Sequence, residues 1–142
     1  MAMLLERFKS LFNELDAGCL DRLAEVYAAD VRFRDPVREL HGLEALRAYY
    51  ARLYEGVESC RFRYDGEVVE AGGAVVLWTM QFRHRRFHAG ETLTLEGASH
   101  LEFGQGADAR VHRHRDYFDM GEFLYERVPV LGAVIRHIKS GL

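Results

Sequence analysis

The sequence predicts an α+β fold, in which N-terminal helices wrap a curved antiparallel sheet into a cone and short helices follow at the C-terminal end. Three observations carry this. Apolar residues recur at three- and four-residue steps in the first third of the chain, the period falls to two from Cys60 to Phe118, and helical spacing returns after Asp119. Helices and strands that are segregated rather than alternating define the α+β class. At 142 residues and 49 % apolar composition, the chain can bury a core without disulfides or metal. With no internal repeat, low-complexity tract or linker, it is expected to form one domain over residues 1–142.

The elements follow in order. Leu4, Leu5, Phe8, Leu11, Phe12 and Leu15 form the apolar stripe of an amphipathic helix that stops near Gly18. Leu20, Leu23, Val26 and Tyr27 repeat the spacing and predict a second, shorter helix, the two making a hairpin. Val31 to Asp35 alternates and ends at Pro36, which biases Asp35 toward extended backbone. Beyond Gly42, Leu43, Leu46, Tyr49, Tyr50, Leu53 and Tyr54 mark a third helix. A four-stranded antiparallel meander is then expected. Cys60, Phe62 and Tyr64 alternate up to the Gly72-Gly73 turn, and Val76, Trp78, Met80, Phe82 and His84 share a face. Leu93, Leu95, Gly97, Ser99, Leu101 and Phe103 share the next, followed by His112, His114, Asp116 and Phe118. Asp119 and Glu122 have the spacing of a capping box, and Pro129 precedes a last helix bearing Val130, Leu131, Val134, Ile135 and Ile138.

Composition narrows the function classes. With 19 Lys plus Arg against 22 Asp plus Glu, the chain lacks the basic footprint of a nucleic-acid binder. Its charged N-terminus lacks a signal-peptide run, and no stretch reaches the roughly 18 apolar residues of a membrane span. The expectation is a protein without nucleic-acid or integral-membrane partners. Two cysteines, Cys19 and Cys60, are too few for a disulfide framework and fit a reducing cytoplasm.

Candidate chemistry concentrates at two places. Asp116 and His114 lie two apart on one strand face, about 7 Å by strand rise, and point into what should be an apolar interior, where unpaired charge is costly. Asp35 sits at a strand exit facing the same cone, where desolvation would favour a base, although Asp-Pro is also ordinary turn chemistry. Trp78, Met80, Phe82, Leu101 and Phe118 are core by periodicity, and those near the cone mouth are candidate ligand contacts. The run His112-x-His114-x-Asp116 has facial metal spacing, with His84 or His88 as a further ligand. A strand produces such spacing without any metal, so no metal site is assigned. Basic runs at Arg83 to His88 and Arg110 to Arg115 can recruit an anion or form solvated hairpin ends. The last helix can serve as a lid, a dimer contact or simple packing.

Val26-Tyr-Ala-Ala-Asp-Val-Arg-Phe-Arg-Asp-Pro36, followed by Gly42 to Tyr50, resembles the N-terminal half of the nuclear transport factor 2-like superfamily, ketosteroid isomerase included. His114-Arg-Asp-Tyr-Phe-Asp119 resembles the closing strand of limonene epoxide hydrolases and SnoaL-like polyketide cyclases of that superfamily. The resemblance implies a cystatin-like cone, a homodimer through the outer sheet face and several possible chemistries. It puts Asp35 at the general base of ketosteroid isomerase, but Leu11 and Ser99 at its two oxyanion donors, of which only Ser99 can donate. It matches Asp116 to an aspartate of the epoxide hydrolases, but puts Met80 and Phe82 where their partner arginine and aspartate belong. In SnoaL-like cyclases the closing-strand aspartate is the acid/base, so the resemblance implies that Asp116 alone suffices, with His114 as a helper.

The expected function is therefore a SnoaL-like cavity protein that binds a small, largely apolar molecule. Its chemistry, if it has any, is isomerisation or cyclisation by carboxylate acid/base action, with Asp116, His114 and Asp35 as catalytic candidates and Ser99 as a ligand contact. No cofactor is called for. A non-catalytic ligand-binding or dimerisation module, and hydrolysis of an epoxide, stay open as alternatives.

Overall fold

The computed structural model describes residues 2–85, 91–106, 109–119 and 129–142. In chain order these form α1 (Ala2–Glu14), a 3-10 helix (Leu20–Glu25), β1 (Tyr27–Arg34), β2 (Glu39–His41), α2 (Leu43–Tyr54), β3 (Val57–Glu70), β4 (Gly73–His84), β5 (Leu93–Phe103), β6 (Val111–Phe118) and α3 (Pro129–Ser140). The strands make one open sheet in the order β2-β1-β6-β5-β4-β3. The α+β class and the antiparallel run from β3 to β6 agree with the sequence reading.

The sheet has more strands than expected and is mixed. β1 pairs parallel with β6, and the three-residue β2, unanticipated, pairs antiparallel with β1 at the edge. The predicted second helix is only a 3-10 segment. Val26 is its C-cap and Tyr27 already opens β1. Three-residue spacing suits a 3-10 turn as well as an α-helix, and here the Val111 amide donates to the Val26 carbonyl at 2.8 Å, drawing the chain into the sheet. Gly42 enters α2 at φ +98°, a left-handed conformation a side chain would strain. Leu46, Tyr49 and Tyr50 then bury the inner face of α2.

A second difference lies in β6. Between Glu102 and Phe103 the ladder shifts register, so that Glu102 faces Arg113 while Phe103 faces Val111. The extra residue is a β-bulge, which inverts the alternation beyond it. Val111 and His114 are both buried, whereas His112 is exposed and lies 3.6 Å from Asp30. His112 therefore does not share a face with His114 and Asp116, and the facial metal spacing dissolves. Among the described residues no cluster of three metal-ligating side chains forms, and no helix is long and apolar enough to cross a membrane. The capping box at Glu122 and the basic run at His88 fall outside the described residues; Asp119 itself receives Lys139 at 3.1 Å.

What seats α1 on the sheet is a side chain. β3 is an edge strand, and Phe62 turns its backbone away from β4. Asn13 answers both groups: its Nδ2 donates to the Phe62 carbonyl at 3.0 Å, and the Phe62 amide donates to its Oδ1 at 2.7 Å. The Tyr64 hydroxyl adds a bond to the Lys9 carbonyl at 3.0 Å. Phe8 and Phe12 are thereby held over the concave sheet face. Replacing Asn13 by Leu keeps the volume and strands two part-buried backbone groups, which costs about 1–3 kcal/mol. A urea-denaturation midpoint equal to that of the wild type would refute this anchoring role.

Candidate functional site

Between the concave face of the sheet and the two long helices lies a cavity of about 500 Å³. Its walls are mostly aromatic: Phe8 and Phe12 from α1, Phe33 from β1, Tyr49, Tyr50 and Tyr54 from α2, Phe62 and Tyr64 from β3, Trp78 and Phe82 from β4, and Phe118 from β6. Met80, Leu95 and Cys60 fill gaps between them, and Ser99, His114 and Asp116 supply the polar floor. Leu101, a candidate ligand contact by its strand face, does not line this space. It packs in the core, fully buried, because its stretch of β5 faces Ala74 and His114 below the floor.

The floor is one hydrogen-bonded chain. Trp78 Nε1 donates to Ser99 Oγ at 2.9 Å, Ser99 Oγ donates to Asp116 Oδ1 at 2.5 Å, and His114 Nε2 meets the same Oδ1 at 2.6 Å. On the far side of the imidazole, the Tyr27 hydroxyl lies 2.7 Å from Nδ1. An ionised carboxylate only accepts, so Nε2 carries a proton; with the imidazole neutral, Tyr27 is the donor to Nδ1. Asp116 Oδ2 has no hydrogen-bond partner among the described residues. Among the described residues, neither Asp116 nor His114 is paired with an arginine.

Packing holds these groups in place. The His114 ring is 2 % exposed, stacked on Tyr27 at 5.8 Å and edge-on to Phe33 and Phe8 at 5.0 and 5.4 Å. Asp116, by contrast, keeps 17 % of its side chain open. The Trp78 indole lies directly over Gly97, where any Cβ would collide with its six-membered ring. Register explains the assembly: Ser99 faces Asp116 across β5–β6, and Gly97 faces Trp78 across β4–β5. Tyr27 is the residue the sequence reading missed. Its place in an apolar stripe concealed a hydroxyl that, once buried, required a polar partner.

Asp35 is at the cavity rim rather than the floor. Its Oδ1 accepts the Val37 and Arg38 amides at 2.8 and 2.9 Å, and its Oδ2 accepts the Tyr49 hydroxyl at 2.6 Å. The carboxylate closes the Pro36 turn and ties it to α2. Burial, and next the hydrogen bond to Asp35, push Tyr49 above its ordinary pKa. Burial likewise drives Tyr27 and Tyr50 far above the usual phenol range, so both stay protonated at neutral pH. Cys60, in the cavity wall, is pushed up to about 12 by burial and is a thiol, not a nucleophilic thiolate, under the same conditions.

The shared oxygen makes the dyad measurable. In Asp116→Asn, His114 loses its anionic acceptor, so the imidazole 15N shifts and the hydrogen-bonded Nε2 proton resonance move. Wild-type and variant spectra that superimpose at His114 would dissolve the coupling.

Comparison with known proteins places the fold. Residues 8–114 match the SnoaL-like domain family. No curated protein matches. Among solved structures, a nuclear transport factor 2-like protein of unknown function from Burkholderia pseudomallei superposes with a TM-score of 0.73 at 20 % identity, covering 87 % of this chain and 93 % of that one. A protein called a SnoaL-like polyketide cyclase from Shewanella denitrificans gives 0.72 at 18 % identity, covering 86 % and 92 %. TsrD from Streptomyces laurentii gives 0.68 at 23 % identity, covering 93 % and 94 %. Element order, sheet and matched sequence agree: the chain belongs to the SnoaL-like domain family of the nuclear transport factor 2-like fold.

Proposed function

We propose that this protein binds a small, largely apolar molecule in its aromatic cavity and moves a proton on it, in an isomerisation or cyclisation next to a carbonyl, with Asp116 as the acid/base. One observation carries the reading: among the described residues, Asp116 Oδ1 takes two donors while Oδ2 takes none, in a residue that lines the cavity. A base needs an oxygen that is both fixed and unoccupied. His114, enclosed by rings and bonded to Asp116 and Tyr27, orients the carboxylate and shares its proton. Asp35, with both oxygens engaged, holds the rim. The name of the Shewanella neighbour, a polyketide cyclase, accords with carbonyl chemistry of this kind. Met80 and Phe82 leave the arginine-linked pair of epoxide hydrolysis unbuilt.

Proton transfer is read directly as hydrogen–deuterium exchange. With a panel of aryl ketones and substituted β-keto esters in D2O, the wild type accelerates exchange at the carbon beside the carbonyl for at least one member, and Asp116→Asn loses about a hundredfold or more of that acceleration. Equal exchange by the two proteins, with circular dichroism showing both folded, would defeat the acid/base assignment.

Homodimerisation through the outer sheet face belongs to the same proposal. Leu77, Ala98 and Tyr117 stand in register across β4, β5 and β6 on the face opposite the cavity, with Leu77 49 % and Tyr117 47 % exposed. An apolar row on a sheet face suits a second copy of that face. Sedimentation velocity should report a dimer that Leu77→Glu converts to monomer; a wild type that sediments as a monomer removes the interface.

A further inference from the structure

The exposed part of the cavity wall is confined to two stretches: Val37 and Arg38 behind the Asp35 turn, and Arg52 and Leu53 on the last turn of α2. The hydrogen bond from Tyr49 to Asp35 ties the two stretches together, and they form the mouth. Both guanidinium groups are exposed there. Neither meets a carboxylate among the described residues; Arg38 instead lies over the Tyr49 ring at 5.5 Å. Elsewhere on the surface Arg22, Arg47, Arg63 and Arg113 each face an acidic side chain, while Arg7, Arg32, Arg34 and Arg61 meet none among the described residues; what sets Arg38 and Arg52 apart is that they also line the cavity. Asp35, the acid at the mouth, aims its lone pairs at the Val37 and Arg38 amides and at Tyr49 rather than at either guanidinium.

We propose that Arg38 and Arg52 form an anion-binding rim, so that the cavity takes amphipathic ligands whose apolar body reaches the Asp116 floor and whose carboxylate or phosphate group stays at the mouth. The proposal rests on the reading that the chamber holds an apolar body, and adds the chemistry of its outer end. Guanidinium groups match the geometry of both anions with paired donors. An ammonium group at the same place meets two like charges, and a neutral group gains nothing from them. The arrangement also orients the ligand, because an anionic end would be repelled by Asp116 and is drawn outward.

Four probes with one naphthalene body test this by titration calorimetry: naphthaleneacetate, the naphthaleneethyl phosphate monoester, naphthaleneethanol and naphthaleneethylamine. At low salt the better anion should bind about tenfold tighter than the alcohol, as two exposed ion pairs allow. The acetate and phosphate arms show which anion fits. The preference should fall toward unity in the Arg38→Gln/Arg52→Gln double variant and at about 0.3 M salt, where charges are screened within a few ångströms. Alcohol binding, unchanged in the variant, shows that the cavity is intact. Anions no tighter than the alcohol, an amine tighter than either, or a preference that survives the double variant would each overturn the rim. Failure of all four to bind would overturn the apolar-chamber reading itself, and this inference with it.

Discussion

A carboxylate set among aromatic rings loses several kcal/mol of hydration unless fixed dipoles replace the water. Asp116 is in this position, and the surrounding structure follows from the need to compensate it. Ser99 and His114 bring two donors to a single oxygen. Each donor is in turn held from behind, Ser99 by the Trp78 indole and His114 by the Tyr27 hydroxyl. The indole reaches Ser99 because residue 97 is glycine. The polar floor is therefore a chain of dependencies, and the free oxygen at its end is oriented by groups that no ligand needs to rearrange.

The parallel pairing of β1 with β6 completes that floor. It sets Phe33 opposite His114 and Tyr27 opposite Val111, so that β1 supplies both the ring that packs edge-on against the imidazole and the hydroxyl that meets its Nδ1. The bulge in β6 does the rest. Without the extra residue near His112, continuous alternation would bury His112 in place of Val111 and bring a further imidazole toward the interior. With it, Val111, Leu101 and Val76 pack as aliphatic core, and the buried polar side chains of the cavity lining, Ser99, His114 and His84, are each hydrogen-bonded.

This account shows which parts of the molecule the sequence discloses. β4 and the outer half of β5 run without a bulge, so period two alone tells which side chains share a face, and Trp78, Met80, Phe82 and Ser99 lie on the cavity side as that period requires. The α2 stripe is equally readable, because Tyr49, Tyr50 and Tyr54 recur at helical spacing. The bulge is not readable: nothing in Arg110 to Arg115 distinguishes an inserted residue from a regular one, and a single insertion exchanges the two faces. Nor does local pattern say that β1 lies beside β6, a pairing between segments some eighty residues apart. Asp35 shows a different limit. Its position beside Pro36 suits a base and a turn equally, and the two amides and the Tyr49 hydroxyl that its oxygens accept are contacts that local pattern does not disclose.

On the acid/base reading proposed above, the same commitments bear on which protons Asp116 would move. Removing a proton from carbon leaves negative charge on the ligand, and that charge needs donors of its own. In this cavity the Ser99 hydroxyl is given to Asp116, the Trp78 N–H to Ser99, the Tyr49 hydroxyl to Asp35 and the Tyr64 hydroxyl to the Lys9 carbonyl. Leu11, at the position resembling an isomerase's oxyanion donor, is core. Tyr50 is bonded to Tyr27, which leaves the Tyr54 hydroxyl, among the described residues, as the uncommitted phenol of the lining. On the proposed reading, a base with one such donor suits a carbon whose proton is already acidified by the ligand itself, between two carbonyls or beside a conjugated ring that spreads the charge. An isolated ketone asks the protein for an oxyanion hole; a conjugated one carries its stabilisation in with it. On that reading the aromatic walls, which offer area and ring stacking, suit the second kind of ligand.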